Sequence, residues 1–223
     1  MRVEKINGVT VPYDKTTDEL EQMLLSCNMS DFVVACEALS YKTDEKSFEL
    51  LENYITNKDK NKRLCILKTI FRHPSSRKLT RYLEECILSD DIWFAENGLK
   101  NAYEYNFDIS DEIILNAVFK HLEKLYCTFL YVLMKINKND DNYLKLIELF
   151  NKSEISGQKE VLSEILYEKY LSEKAADLFS LFSNDSFSKI RLLAVKIGKE
   201  YRMDISEFYT DTDGHVKSEA IKS

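Results

Sequence analysis

One pattern recurs along this chain of 223 residues and limits its fold more than any other feature. It is two adjacent apolar residues, two others, then two adjacent apolar residues. On a helix, positions i, i+1, i+4 and i+5 form one broad stripe. The occurrences begin with Val34, Ala35, Ala38, Leu39, then Ile66, Leu67, Ile70, Phe71, then Phe94, Ala95, Gly98, Leu99. They continue with Phe129, Leu130, Leu133, Met134, then Val161, Leu162, Ile165, Leu166, and end on Leu192, Leu193, Lys196, Ile197. Only Gly98 and Lys196 depart from the rule. Successive first members are 32, 28, 35, 32 and 31 residues apart.

A second apolar pair follows each of the first five stripes. These are Leu51 and Ile55, Leu83 and Ile87, Ile114 and Val118, Leu146 and Phe150, and Leu178 and Phe182. The offset is constant except in the third case, where residues 104–108 lengthen the connection. The unit reads as helix A, turn, helix B. One such unit cannot bury both helices, whereas stacked units share a continuous core. The expectation is an all-α chain, a right-handed α-α superhelix of about six helix pairs. The pairs span residues 30–59, 60–90, 91–124, 125–154, 155–186 and 187–209.

Composition agrees. Five Gly and two Pro are too few for the many special turns of a β-sandwich or a doubly wound α/β fold. The expected turns carry helix-capping chemistry: Thr43-Asp44-Glu45, Ser75-Ser76, Ser110-Asp111-Glu112 and Asn139-Asp140-Asp141. At the start, Asn7-Gly8 between β-branched residues predicts a hairpin over residues 3–11. A capping helix over 17–28 follows, with Leu20, Met23, Leu24 and Cys27 on one face, so that residues 1–29 form a cap. Residues 210–223 read as a polar tail, with Asp211-Thr-Asp213-Gly214 a turn or frayed end. A complete calcium loop would need further acids and a closing Glu.

The sixth stripe sits in Asp185-Ser-Phe-Ser-Lys-Ile-Arg-Leu-Leu-Ala-Val-Lys-Ile-Gly198, which resembles a HEAT repeat at Asp185, Ile190, Arg191, Ala194, Ile197 and Gly198. The other repeats follow the apolar pattern without the Asp/Arg pair, and an armadillo-like array satisfies the same spacing. The resemblance implies an α-solenoid in which Asp185 and Arg191 form a structural ladder between neighbouring repeats. It further implies a scaffold or adaptor that binds a protein on the inner face of its B helices. Two other readings stay open. One is a bacterial immunity or antitoxin-like inhibitor. The other is a HEAT-like enzyme, either a DNA glycosylase-like protein acting on nucleic acid or a lyase-like protein acting on a prosthetic group.

Charge is uneven. Nine cations (Lys58, Lys60, Lys62, Arg63, Lys68, Arg72, Arg77, Lys78, Arg81) and one acid, Asp59, fall within residues 58–81, in a chain of net charge −7. Arg77, Lys78 and Arg81 are expected to lie together on helix B of the second repeat. They form either a solvated face balanced by nearby acids or a docking patch for an anionic partner, an acidic protein surface in the first place. A pI near 5.2 and a single basic repeat argue against nucleic acid. Arg63, Arg72, Tyr103 and Tyr105 complete the candidate binding residues. Tyr103, Tyr105, Phe107 and Tyr126 surround the lengthened connection, and tyrosines are common interface anchors. Trp93, beside the Phe94–Ala95 pair, reads as core or partly buried.

No GxSxG, P-loop, GxGxxG or HExxH motif occurs, so the sequence nominates no catalytic residue, metal ligand or cofactor. Sites assembled from scattered residues leave no such motif. The five cysteines (27, 36, 65, 86, 127) lack CxxC spacing and read as free thiols of a reducing cytoplasm, with no metal site built on His73, His121 or His215. No apolar run is long enough to span a bilayer, and the first residues do not read as a signal peptide.

Overall fold

The computed structural model describes residues 4–26 and 28–222. Helix takes up 72% of the chain, with one small antiparallel sheet. Cys27, placed on the capping-helix face by sequence, lies outside the described residues, as do residues 1–3 and 223. The chain divides into two compact units, residues 1–113 and 114–223.

The first unit opens with the hairpin, β1 (Lys5–Ile6) paired to β2 (Val9–Thr10). Asn7 (φ 51°) and Gly8 (φ 82°) supply the two positive-φ positions of the tight turn. Helix α1 (Thr17–Leu24) starts with a reciprocal capping box between Thr16 and Glu19. Next come α2 (Met29–Ser40), α3 (Glu45–Glu52), α4 (Lys60–Thr69), α5 (Thr80–Ile87), α6 (Ile92–Glu104) and α7 (Asp111–His121), which crosses the division. Asn28, Asp44, Asp59 and Asp91 cap α2, α3, α4 and α6 by accepting first-turn N–H bonds. The A helices α2, α4 and α6 pack successively, α2 on α4 and α4 on α6. Their facing stripes are the core: Val34, Leu39, Ile66, Leu67 and Leu99 have no exposed surface.

The second unit carries a 3-10 helix over Cys127–Lys135, then α8 (Asp140–Lys152), α9 (Ser156–Ser183), α10 (Ser188–Tyr201) and α11 (Gly214–Ile221). Long helix α9 is broken at one residue, Lys174 (φ −126°, ψ 28°). It therefore supplies both helices of the fifth pair, with Val161, Leu162, Ile165 and Leu166 buried before the break and Leu178 and Phe182 after it.

Five features differ from the sequence reading. Arg77 and Lys78 are not on helix B. They belong to a 3-10 turn over Pro74–Leu79 that precedes α5. Pro74 fits a first helical position, and the His73 ring, not Ser75 or Ser76, provides the cap. The fourth A element is 3-10 rather than α. Its Thr128, Phe129, Tyr131 and Val132 are weak helix formers, and Tyr126 gives it no side-chain cap. In α10 the buried residues are Ile190, Ala194, Val195, Ile197 and Gly198, whereas Leu192 and Leu193 are half-buried. The small residues turn inward because space there is tight. A Cβ on Gly198 would come within 2.3 Å of Ile205 and 2.9 Å of Phe179. The tail is not frayed: Asp213 caps α11, and Val216 and Ala220 are buried. Trp93 is 51% exposed, on the first turn of α6.

Candidate functional site

The ends of the helices α2, α4 and α6 in the first unit bring three helix pairs together. Arg72 closes the 3-10 turn Ile70–Arg72 that continues α4. Its Nη1 pairs with the Glu37 carboxylate of α2, buried with only 6% of its side chain exposed. Its Nε donates to the Tyr105 hydroxyl at 3.1 Å, just past the end of α6. The guanidinium also lies 5.6 Å from the centre of the Tyr41 ring, within cation–π range. Burial opposes the Arg72 charge, but the Tyr105 hydroxyl and the Glu37 carboxylate outweigh it and hold the guanidinium above its ordinary range.

Arg77 secures the same tyrosine from the other side. Its Nη2 donates to the Tyr105 carbonyl at 2.7 Å and its Nη1 to the Asn106 carbonyl at 2.9 Å, with the guanidinium 4.4 Å from the Phe107 ring centre. Asn106 holds φ 53°, so these two bonds fix the left-handed exit from α6. The result is a row of Tyr41, Arg72, Tyr105 and Arg77 across consecutive helix pairs. Tyr41, a member of the row (43% exposed), and Tyr103, on the last turn of α6 (41%), leave aromatic surface in water.

The remaining predicted residues lie elsewhere. Lys78 pairs with Glu45 at 2.5 Å, and Arg81 pairs with Glu85 one turn on, with its side chain 91% exposed. Arg63 stacks over Phe94 at 5.0 Å, and its Nε is buried without a hydrogen-bond partner, as is the Tyr82 hydroxyl. Burial pushes that Tyr82 hydroxyl well above its usual range and the neighbouring Cys86 thiol up to about 12. Lys60 pairs with Asp91. Much of the basic segment is thus neutralised by acids of neighbouring helices. The structure joins Arg72, Arg77 and Tyr105, and leaves Lys78, Arg81 and Arg63 outside the row.

In the second unit, Arg191 forms a bidentate pair with Asp211 at 2.7 and 2.8 Å and donates to the Asp185 carbonyl at 2.9 Å. The Asp185 carboxylate instead receives Lys159 of α9 at 2.6 Å. Asp185 reaches back to α9 and Arg191 reaches forward to Asp211, which its guanidinium holds below the usual carboxylate range.

Sequence reasoning missed Glu37 and Tyr41. A signal was present: Tyr41, Arg72 and Tyr103 recur 31 residues apart, close to the 28–35 spacing of the stripes. Among the described residues no three His, Cys, Asp or Glu side chains gather as a metal-binding group, and no helix is long and apolar enough to cross a membrane. No protein-family model matches this chain, and neither a curated protein nor a solved structure matches it.

Proposed function

We propose that the helix pairs stack as repeats of a HEAT-like superhelix, and that the chain is a non-enzymatic scaffold whose arginine–aromatic edge binds a protein partner. The observation that carries this reading is the row Tyr41–Arg72–Tyr105, built from one residue of each consecutive pair, with the Tyr41 ring 43% exposed. An array places equivalent positions side by side, so a short row of anchors spans several repeats. Tyrosine and arginine are the residues most often found at the energetic centre of interfaces, where they combine apolar area with directed hydrogen bonds. Internal ties hold the row, which reduces the ordering cost of binding. The reading moves the contact from the B-helix face, favoured by the sequence, to the A–B turn edge.

The test is affinity capture from the native cell with the wild-type chain and a Tyr41→Ala/Tyr103→Ala variant. Both side chains are substantially exposed, and the Tyr41 ring gives up its contacts with Tyr13 and Arg72, so stability should fall by about 1 kcal/mol and leave the fold intact. The expected outcome is a protein retained by wild type and lost by the variant. Equal retention by both would reject this edge as the binding surface.

A further inference from the structure

We propose that a groove in the first unit binds a small amphipathic anion, an aliphatic group ending in a carboxylate. The groove, of about 440 Å³, lies between α2 and α4 with the hairpin turn at Ile6 and Asn7 as a third wall. That volume falls in the range of small-molecule sites, roughly 300–1,000 Å³. Helix α2 contributes Met29, Val33 and Glu37, spaced i, i+4, i+8 along one face. Helix α4 contributes Leu64, Cys65 and Lys68 on its matching face, and Arg72 follows.

The two stripes run the same way, since Glu37 and Arg72 meet near their C-terminal ends. The groove is therefore graded. Met29, Val33 and Leu64 line its beginning and are half-buried, outside the core stripes of their helices. Glu37, Lys68 and Arg72 line its end. There, two cations face one acid, and that acid is already engaged by Arg72. Lys68 is exposed and makes no ion pair among the described residues. A positive charge is thus left at the polar end of an apolar trough. The last carbonyls of α2 and α4 offset part of it, so the affinity for a carboxylate is modest and its dependence on Lys68 strong. An apolar chain on Val33 and Leu64 with its carboxylate at Lys68 satisfies both ends at once.

The groove shares Arg72 with the proposed binding edge, but Val33, Leu64 and Lys68 lie outside that row, so changes there test the groove separately. The full chain, labelled with ¹⁵N, is titrated with octanoate, with a short peptide ending in a free leucine carboxylate, and with octanol. Octanoate should shift the amides around Val33, Leu64 and Lys68 saturably. Lys68→Gln, a change at an exposed position, should weaken binding by roughly tenfold. Val33→Trp should block it with helix content unchanged. Binding of the peptide alone at these residues would also support the site and identify the anion as a polypeptide C-terminus. Octanol binding as well as octanoate, an unchanged affinity in Lys68→Gln, or no shift from either carboxylate would overturn the proposal.

Discussion

His73 stands at the turn that joins α4 to α5, with only 1% of its surface exposed. Its Nδ1 accepts from the Ser75 N–H at 3.1 Å, so the neutral ring carries its proton on Nε2, which donates to Ser47 at 3.0 Å. Burial lowers its pKa, and the opposing pull of Asp44 and Glu45 does not restore it. The unfolded chain then binds a proton more readily than the folded one. The His73 contribution to stability is full above about pH 6.5 and is lost as pH falls toward the depressed folded value. Denaturant midpoints between pH 7.5 and 5 should drop for wild type and much less for His73→Asn, which cannot titrate. Equal pH profiles would show that the ring is accessible to protons. Arg72 gives a second test at this scale. Arg72→Met strands the buried Glu37 carboxylate, and the expected loss is about 3 kcal/mol, the lower end for breaking a buried pair because Arg72 is itself partly exposed. A loss under about 0.5 kcal/mol would show that the row carries no structural weight.

At the scale of elements, Leu67 of α4 and Leu162 of α9 are both fully buried. Each change to Ala should cost about 2–5 kcal/mol in equilibrium unfolding, through lost burial and the cavity left behind. Near-neutral results at both would contradict the assignment of the stripes to the core. The stripes were legible in sequence because burial writes a helical period into the residue order. The hairpin was legible because Asn-Gly fills two positive-φ positions, and the caps because Asp44 and Asn139 sit where N–H groups need acceptors. The 3-10 segments were not legible, since α and 3-10 turns share side-chain chemistry and differ by one residue in bond register. The break at Lys174 has no Gly or Pro to announce it, and the one capping-type residue nearby, Ser172, stands two positions early. Helix α11 hides in a polar run because only Val216 and Ala220 turn inward. The site was half legible. Charge density pointed to Arg72 and Arg77, but whether each cation meets an acid, a carbonyl or water is decided by the neighbouring helices, which local sequence does not encode.

Across the whole molecule, most long-range side-chain ties share one property, with Arg191–Asp211 and Lys199–Glu219, 20 residues apart, as shorter exceptions. Lys78–Glu45, Arg72–Glu37, Asn101–Leu67, Gln158–Leu122, Lys169–Ile136, Lys159–Asp185 and Lys189–Glu160 join residues between 26 and 36 apart, about the spacing of the apolar stripes. Buried Asn101 of α6 donates its amide to the Leu67 carbonyl of α4 at 2.8 Å, and buried Gln158 of α9 donates to the Leu122 and Leu125 carbonyls, just past the end of α7, at 2.6 and 2.9 Å. Within the first unit α2 is tied to the end of α4, and α4 to α6; in the second, α9 is tied to the segment before α8 and to α10, the neighbour coupling that the proposed array requires. Zero-length carbodiimide cross-linking tests this most directly, because it joins amines only to carboxylates already in contact. Apart from links within a single helix, the account predicts products such as Lys46–Asp18, Lys60–Asp91, Lys78–Glu45, Lys138–Glu173, Lys174–Asp140 and Lys189–Glu160. A set of links that joins helices two or more repeats apart within either unit, with these pairs missing, would contradict it.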